Sequence, residues 1–228
     1  MCEREKLYEE IKNAPLFADL DRMQCLFLLE YLCARRVLFK KGSMIYAQES
    51  ATETFALVVS GAVELARYDC MGNRFLLLTQ SGGACIGLAS TLFEEWIPYT
   101  HIIARSDCEI LFFDAEKLRG PACLLIPACA ILKNNISKQL VSKETELLGK
   151  LSLINCKTIR EKVLVFLAQQ AEQHHSDCFE IEFSRQDMAD FLSIDRSALS
   201  KELANMKRDG LIDYYRNRFE LKKGDWRQ

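Results

Sequence analysis

Between residues 3 and 33 apolar positions recur every three or four residues, Leu7 with Ile11 and then Leu20, Met23, Phe27 and Tyr31, which is the period of helices with one buried face. From Arg35 the period shortens. The runs RRVLFK, SMIYAQ, TFALVVSGAVELARY and RFLLLTQ are rich in β-branched and aromatic residues, and Lys41-Gly42, Ser60-Gly61 and Gly72-Asn73 supply turns between them. THIIAR and CEILFFD, on either side of Ser106-Asp107, add two more strands before AEKLRG, which reads as a helix. Short strands at such regular spacing predict an antiparallel β-roll of jelly-roll type.

After Pro121 no glycine occurs until Gly149, and Cys129, Leu132, Ile136, Leu140, Leu147 and Leu151 keep close to heptad spacing. This predicts a long helix with a continuous apolar stripe. Such a stripe can pack on the helix's own barrel or on a second copy. A helix of about 25 residues runs ~37 Å, longer than a small barrel covers, so the stripe is expected to serve a homodimer.

The last third changes character again. TIREKVLVFLAQQAEQ, residues 158–173, sets Ile159, Val163, Phe166 and Leu167 on one helical face. Ser184 with Asp187 three residues later has the form of an N-terminal cap, for a helix that turns Met188, Phe191 and Leu192 inward. Ser193-Ile194 make a short turn, Asp195 caps a second helix from Arg196 to about Arg208, and Gly210 ends it. Two short helices joined so tightly must cross steeply, which frees the outer face of the second to enter a DNA major groove. Arg196, Ser197, Ser200 and Lys201 lie on that face. Arg and Lys donate to guanine O6 and N7, serines donate or accept, and the free amides of a helix N-terminus attract phosphate. LIDYY and RFEL then predict a hairpin, a wing whose Arg216 and Arg218 flank a phosphate backbone, with Lys207, Ser184 and Arg185 as further candidate contacts. The expected organisation is α+β, with a β-roll sensor over residues 1–120, a dimerisation helix over 121–152 and a winged helix-turn-helix over 153–228.

Composition adjusts this picture only locally. The 228 residues are 49% hydrophobic, enough for two small cores. No apolar run reaches the ~18 residues that span a bilayer, and MCEREKLYEE lacks the layout of a signal peptide, so a cytoplasmic protein without a membrane partner is expected. Ten cysteines are scattered singly through helices and strands, without metal-ligand spacing; most are expected to be reduced and buried. The net charge of −2 gives no support to nucleic-acid binding, but from Asp195 onward nine Lys and Arg stand against six Asp and Glu.

Both halves resemble the Crp/Fnr family of bacterial regulators. In the β-roll the resemblance rests on FKKGSMIYAQES followed by FALVVSGAVEL, and in the last third on SRQDMADFLSIDRSALSKELANMKRDGLI. It implies a dimer that reads a palindromic operator on double-stranded DNA under control of an unknown small-molecule effector or a redox signal, with RNA polymerase as a partner. Cyclic-nucleotide-binding members carry a phosphate cassette of glycine-glutamate followed by arginine and a hydroxyl residue. Here Gly87 is kept, but Leu88 replaces the glutamate, and Pro98 and Tyr99 stand at the arginine and hydroxyl positions. The candidate effector pocket, Gly87, Leu88, Ala89, Tyr99 and Thr100, therefore lacks the charged partner of a phosphodiester. Ser197 also replaces a glutamate that many relatives carry in the recognition helix, so the operator is expected to differ from the best-known one.

The resemblance brings no cofactor with it. Cys2, Cys25 and Cys33 are too widely spaced for the iron–sulfur cluster of the oxygen-sensing branch, and for haem only His101 or a cysteine offers an axial ligand; both groups stay open. No catalytic residues and no metal ligands are assigned. A cupin-like metal enzyme would need two or three histidines with a carboxylate, and the β-roll segment holds only His101. A ligand-binding module whose helix-turn-helix contacts protein is the remaining alternative.

Overall fold

The structure is a computed structural model that describes residues 3–46, 53–68, 70–71, 74–88 and 100–222. The chain divides into two compact units, Met1–Asn73 with Leu77–Glu146, and Arg74–Leu76 with Leu147–Gln228.

Among the described residues, helices Glu3–Ile11 and Arg22–Tyr31 precede eight strands, which belong to the first unit except for Arg74–Leu76. Asp21 starts the second helix through a capping box: its carboxylate accepts from the Gln24 amide at 2.8 Å, and Gln24 Oε1 accepts from the Asp21 amide at 3.0 Å. The strands are β1 Arg35–Phe39, β2 Met44–Tyr46, β3 Thr54–Ser60, β4 Ala62–Tyr68, β5 Arg74–Ser81, β6 Cys85–Ile86, β7 Thr100–Ala104 and β8 Cys108–Asp114. They form two four-stranded sheets in the orders β1-β8-β3-β6 and β2-β7-β4-β5, the antiparallel β-roll expected from the sequence. Only β6 escaped the reading of alternation, since two residues cannot display a period.

Strands β3 and β8 pair in the middle of the first sheet, Phe55 opposite Phe113 and Leu57 opposite Leu111. Both their faces are buried. Successive side chains point to opposite sides of a strand, so Phe55, Leu57, Leu111 and Phe113 enter one core, while Ala56, Val58, Ile110 and Phe112 enter another. The second core fills the roll and takes Val63, Ile102 and Ala104 from the facing sheet. The first lies between sheet and helices and takes Leu16, Phe17, Leu28, Leu118, Leu132 and Ile136. Cys25, Cys85, Cys108, Cys123 and Cys129 are buried, and Cys33, Cys70 and Cys178 are exposed; every described cysteine is a free thiol.

The long helix, Pro127–Asn155, has 29 residues and therefore runs ~43 Å. Its N-terminal half corrects the expected dimer stripe. Cys129, Leu132 and Ile136 are fully buried against the sheet of their own chain, Leu140 is half-buried beside them, and Leu147 and Leu151 are exposed. The spacing was right and its partner was not: seven-residue recurrence also describes the face a helix turns to its own core. At about 100° per residue, Val141 and Leu148 lie roughly a third of a turn further round and are exposed, at 62% and 58%, with Leu151, at 54%, between them and the stripe.

In the second unit the helix Ile159–Gln173 begins at a Thr158–Glu161 capping box and buries Val163, Phe166 and Leu167. Helices Arg185–Leu192 and Arg196–Arg208 follow, with a three-stranded sheet of β9 Cys178–Glu180, β10 Ile212–Tyr215 and β11 Arg218–Leu221 in the order β10-β11-β9. Among the described residues no helix is long and apolar enough to cross a membrane.

This assignment of faces predicts that Ile136→Ala lowers the stability of the first unit by about 2–5 kcal/mol in urea unfolding, as for a large-to-small change in a filled core. Val141→Ala, measured at a concentration where the chain is monomeric, is expected to leave it within ~0.5 kcal/mol. Equal losses in the two variants contradict the assignment.

Candidate nucleic-acid interface

Helix Arg185–Leu192 ends on Ser193, which takes the left-handed conformation at φ 53° and reverses the chain. Two residues later Asp195 opens the next helix, its carboxylate accepting from the amides of Ser197 at 2.8 Å and Ala198 at 3.1 Å. So short a connection leaves no slack. Leu199, Leu203 and Met206 seal the inner side against Met188, Leu192 and Phe166, which turns the remaining face of Arg196–Arg208 outward.

Every residue on that face is exposed: Arg196, Ser197, Ser200, Lys201, Lys207 and Arg208, with Ala204 between them, which the sequence did not single out. The helix's acids are elsewhere and engaged. Arg160, on the preceding helix, reaches Glu202 at 2.6 Å and Asp209 at 2.7 Å, Asp195 is the cap, and Asp213 of β10 pairs with Lys207 at 2.6 Å. A chain of net charge −2 thus presents a face without a carboxylate. Arg196 and Lys201 have no partner among the described residues.

The other candidate contacts divide by what they already do. Ser184 is the cap of helix Arg185–Leu192, accepting from the Asp187 amide at 3.1 Å and donating to its carboxylate at 2.7 Å. Ser197 donates to Asp195, and Ser200 donates to the Arg196 carbonyl at 3.0 Å, which leaves both hydroxyls lone pairs to accept with. Arg185 is a strut. Its guanidinium donates to the Arg216 carbonyl at the tip of the wing and lies 5.0 Å from the Phe219 ring centroid and 5.4 Å from that of Tyr214; burial pushes its pKa down. Lys207 likewise serves the wing, through Asp213 and the Tyr214 carbonyl. Arg218 donates from Nε to Cys178 Sγ at 3.3 Å, and Arg216, at φ 53°, is exposed beside Tyr215. The structure therefore presents Arg196, Lys201 and Arg216 as the open charges, and shows Arg185, Lys207 and Ser184 holding the scaffold.

Sequence reading missed three parts of this scaffold. Strand β9 pairs with β11, Phe179 opposite Phe219, and makes the wing part of a three-stranded sheet. Arg160 ties the preceding helix to the outward one, and Lys162 donates to the Leu192 carbonyl at 3.3 Å, closing the end of helix Arg185–Leu192. The run CFE holds no β-branched residue to announce β9, and a basic residue on an amphipathic helix carries no sign of its partner.

The candidate effector residues are only partly within the described chain. Gly87 sits at φ 75°, where a Cβ would lie 3.3 Å from the Thr54 carbonyl oxygen, so the backbone needs glycine there. Leu88 is 3% exposed and packs in the core between sheet and helices, which turns it away from the interior of the roll. Ala89, Pro98 and Tyr99 lie outside the described residues, and Thr100 opens β7 opposite Arg67. His101 follows it, edge-on to the Tyr68 ring at 5.6 Å. Among the described residues no three His, Cys, Asp or Glu side chains gather to hold a metal ion.

Two family models match the chain, that of the cyclic nucleotide-binding domain over residues 36–120 and that of the Crp-like helix-turn-helix domain over residues 161–225. Among solved structures, the c-di-GMP responsive global regulator CLP of Xanthomonas campestris is 17% identical, with 90% of this chain and 100% of that one covered at a TM-score of 0.73. A CooA variant from Carboxydothermus hydrogenoformans is 20% identical over 86% of each chain, with a TM-score of 0.69. FixK2 from Bradyrhizobium japonicum is 18% identical over 83% of this chain and 93% of its own, with a TM-score of 0.66. At these identities the likeness is one of fold. No curated protein matches the chain.

Two predictions follow from the caps and struts. Arg185→Ala is expected to cost the second unit about 1–3 kcal/mol in urea unfolding, the range for losing a hydrogen bond from a charged group. The Asp195 carboxyl is held below its usual 3.8 by the Ser197 hydroxyl and then by the two helix amides. Its contribution is present above the unfolded-state value and lost as pH falls through the lower folded one. Asp195→Asn, which caps without titrating, should remove that part of the acid dependence below about pH 4; an unchanged acid limb of the circular-dichroism transition counts against the cap.

Proposed function

The chain belongs to the Crp/Fnr family of transcription regulators, which are not enzymes, and from that premise we propose that it is a homodimer that binds a palindromic DNA operator and answers to an effector other than a cyclic nucleotide. The observation that carries the DNA-binding half is the outer face of helix Arg196–Arg208. It is exposed along its length, free of carboxylates, and offers Arg196 and Lys201 unpaired in its first two turns, where a recognition helix meets base edges.

The dimer is supported by the exposed seam of the long helix. Val141 and Leu148 are seven residues apart, Leu151 follows three later, and Asn134 and Asn155 continue the register at either end, a pattern in which apolar positions supply affinity and asparagines set alignment. The choice of effector rests on Leu88. A buried leucine stands where cyclic-nucleotide binders place a glutamate, and it offers a ribose no acceptor. RNA polymerase remains the expected partner at the promoter.

Fluorescence-anisotropy titration against duplexes selected from a random library tests the reading. Arg196→Ala and Lys201→Ala are each expected to weaken binding by about 1–3 kcal/mol, with the steep log-salt slope of phosphate neutralisation in the parent protein. Full affinity in both variants excludes this face. Leu148→Glu places two like charges across the seam and is expected to yield a folded monomer in sedimentation; a dimeric variant places the interface elsewhere.

A further inference from the structure

The first unit contains a cleft of about 470 Å³ that lies away from Gly87 and Leu88, between the Gly82-Gly83 turn after β5 and the long helix. Its helical wall is Asn135, Gln139, Lys143 and Glu146, which borders and partly shares the buried Leu132–Ile136 face and lies away from the Val141–Leu148 seam. The opposite wall is nearly bare. Gly83, at φ 91°, holds a backbone conformation reserved for glycine, and a Cβ there would point at Pro15, 3.7 Å away.

Two amides in this wall are left half-satisfied, and their orientation follows from their partners. Asn135, 1% exposed, donates from Nδ2 to the carbonyls of Leu16 at 3.1 Å and Ala18 at 2.7 Å, so its other atom must be the oxygen. That Oδ1 is buried without a partner. Gln139 accepts from the Cys85 amide at 3.3 Å through Oε1, which makes its remaining atom the NH₂ group, and Nε2 is also buried without a partner. The wall thus holds one spare acceptor and one spare donor. Charges accompany both. Lys143 is anchored to Gln80 Oε1 at 2.9 Å and to the Cys85 carbonyl, and Glu146 stands one turn further on.

We propose that this cleft binds a free α-amino acid. Its carboxylate accepts from Gln139 Nε2 and is balanced by the Lys143 ammonium, while its ammonium group donates to Asn135 Oδ1. Pro15 and Ala18 offer apolar surface to the side chain. A simple anion or a simple amine satisfies half of this set, whereas a zwitterion of small volume satisfies all of it. The size agrees, since small-molecule sites enclose about 300–1,000 Å³. The inference concerns binding alone and stands whether or not the helix-turn-helix contacts DNA.

Isothermal titration of the full chain, without DNA, against each of the common L-α-amino acids tests it, with acetate and n-butylamine as single-charge controls. At least one amino acid is expected to bind at one molecule per chain, and neither control is. Lys143→Met is expected to weaken that binding by about tenfold or more. Ser142, exposed at the rim of the cleft, provides a second variant that leaves the core untouched, and Ser142→Trp should abolish binding while preserving the circular-dichroism spectrum. Absence of binding by every amino acid, or undiminished affinity in Ser142→Trp, overturns the proposal.

Discussion

The two-sided burial of β3 and β8 is the constraint on which the first unit depends. A sheet wet on one side needs one partner layer, but a central pair with Phe55 and Phe113 on one face and Val58 and Ile110 on the other needs two. The facing sheet supplies the first. The helices must supply the second, and among them the long helix gives Cys129, Leu132 and Ile136. Once that face is spent, the remaining two-thirds of the helical circumference is available for other tasks. The exposed seam of Val141, Leu148 and Leu151 and the polar cleft wall of Asn135, Gln139 and Glu146 are what that packing leaves over.

The second unit solves a different problem, which is to hold one charged helical face open while neutralising everything around it. Arg160 takes up Glu202 and Asp209, Lys207 takes up Asp213, and Arg185 braces the wing from beneath. Exposed pairs of this kind contribute little to stability. Their effect here is on the field: Glu202 and Asp209 are matched by Arg160 on another helix, Asp213 by Lys207, and Asp195 by the helix amides, so the unpaired charge on the face comes from Arg196 and Lys201. Net charge is accordingly a poor guide to this chain, because the quantity that matters to a phosphate is the charge within a Debye length of the face.

Legibility in the sequence followed composition and flanking turns more than length. Strands in β-rich runs bounded by turn formers announced themselves, even β2 at three residues, and the helix-turn-helix did so by two caps and a buried triplet on each helix; β6 and β9, without such runs, did not. The long helix was legible as a helix and misleading as an interface. Cys129, Leu132 and Ile136 satisfy a heptad as well as Val141 and Leu148 do, and only the arrangement of the sheet beneath decides which stripe is covered. Among the charged residues, Arg196 and Lys201 were legible because an exposed recognition face leaves them nothing else to meet. The internal partners of Arg185 and Lys207, the Arg216 carbonyl and Asp213, were not legible, because the wing brings them near and no local pattern specifies it.

The separation of faces on the long helix has a mechanistic consequence. A ligand shifts an equilibrium only as far as its affinity differs between the two states. A site built wholly on one rigid element has no such difference to exploit. The cleft is built on two, the helix and the turn between β5 and β6, and the contacts that join them are few and polar: Lys143 to Gln80 and the Cys85 carbonyl, and Gln139 to the Cys85 amide. A zwitterion bridging Gln139, Lys143 and Asn135 would stiffen that junction without touching the apolar seam on the next face. On the proposed reading the cleft and the seam share no side chain, so substitutions at Ser142 and at Leu148 are separable tests.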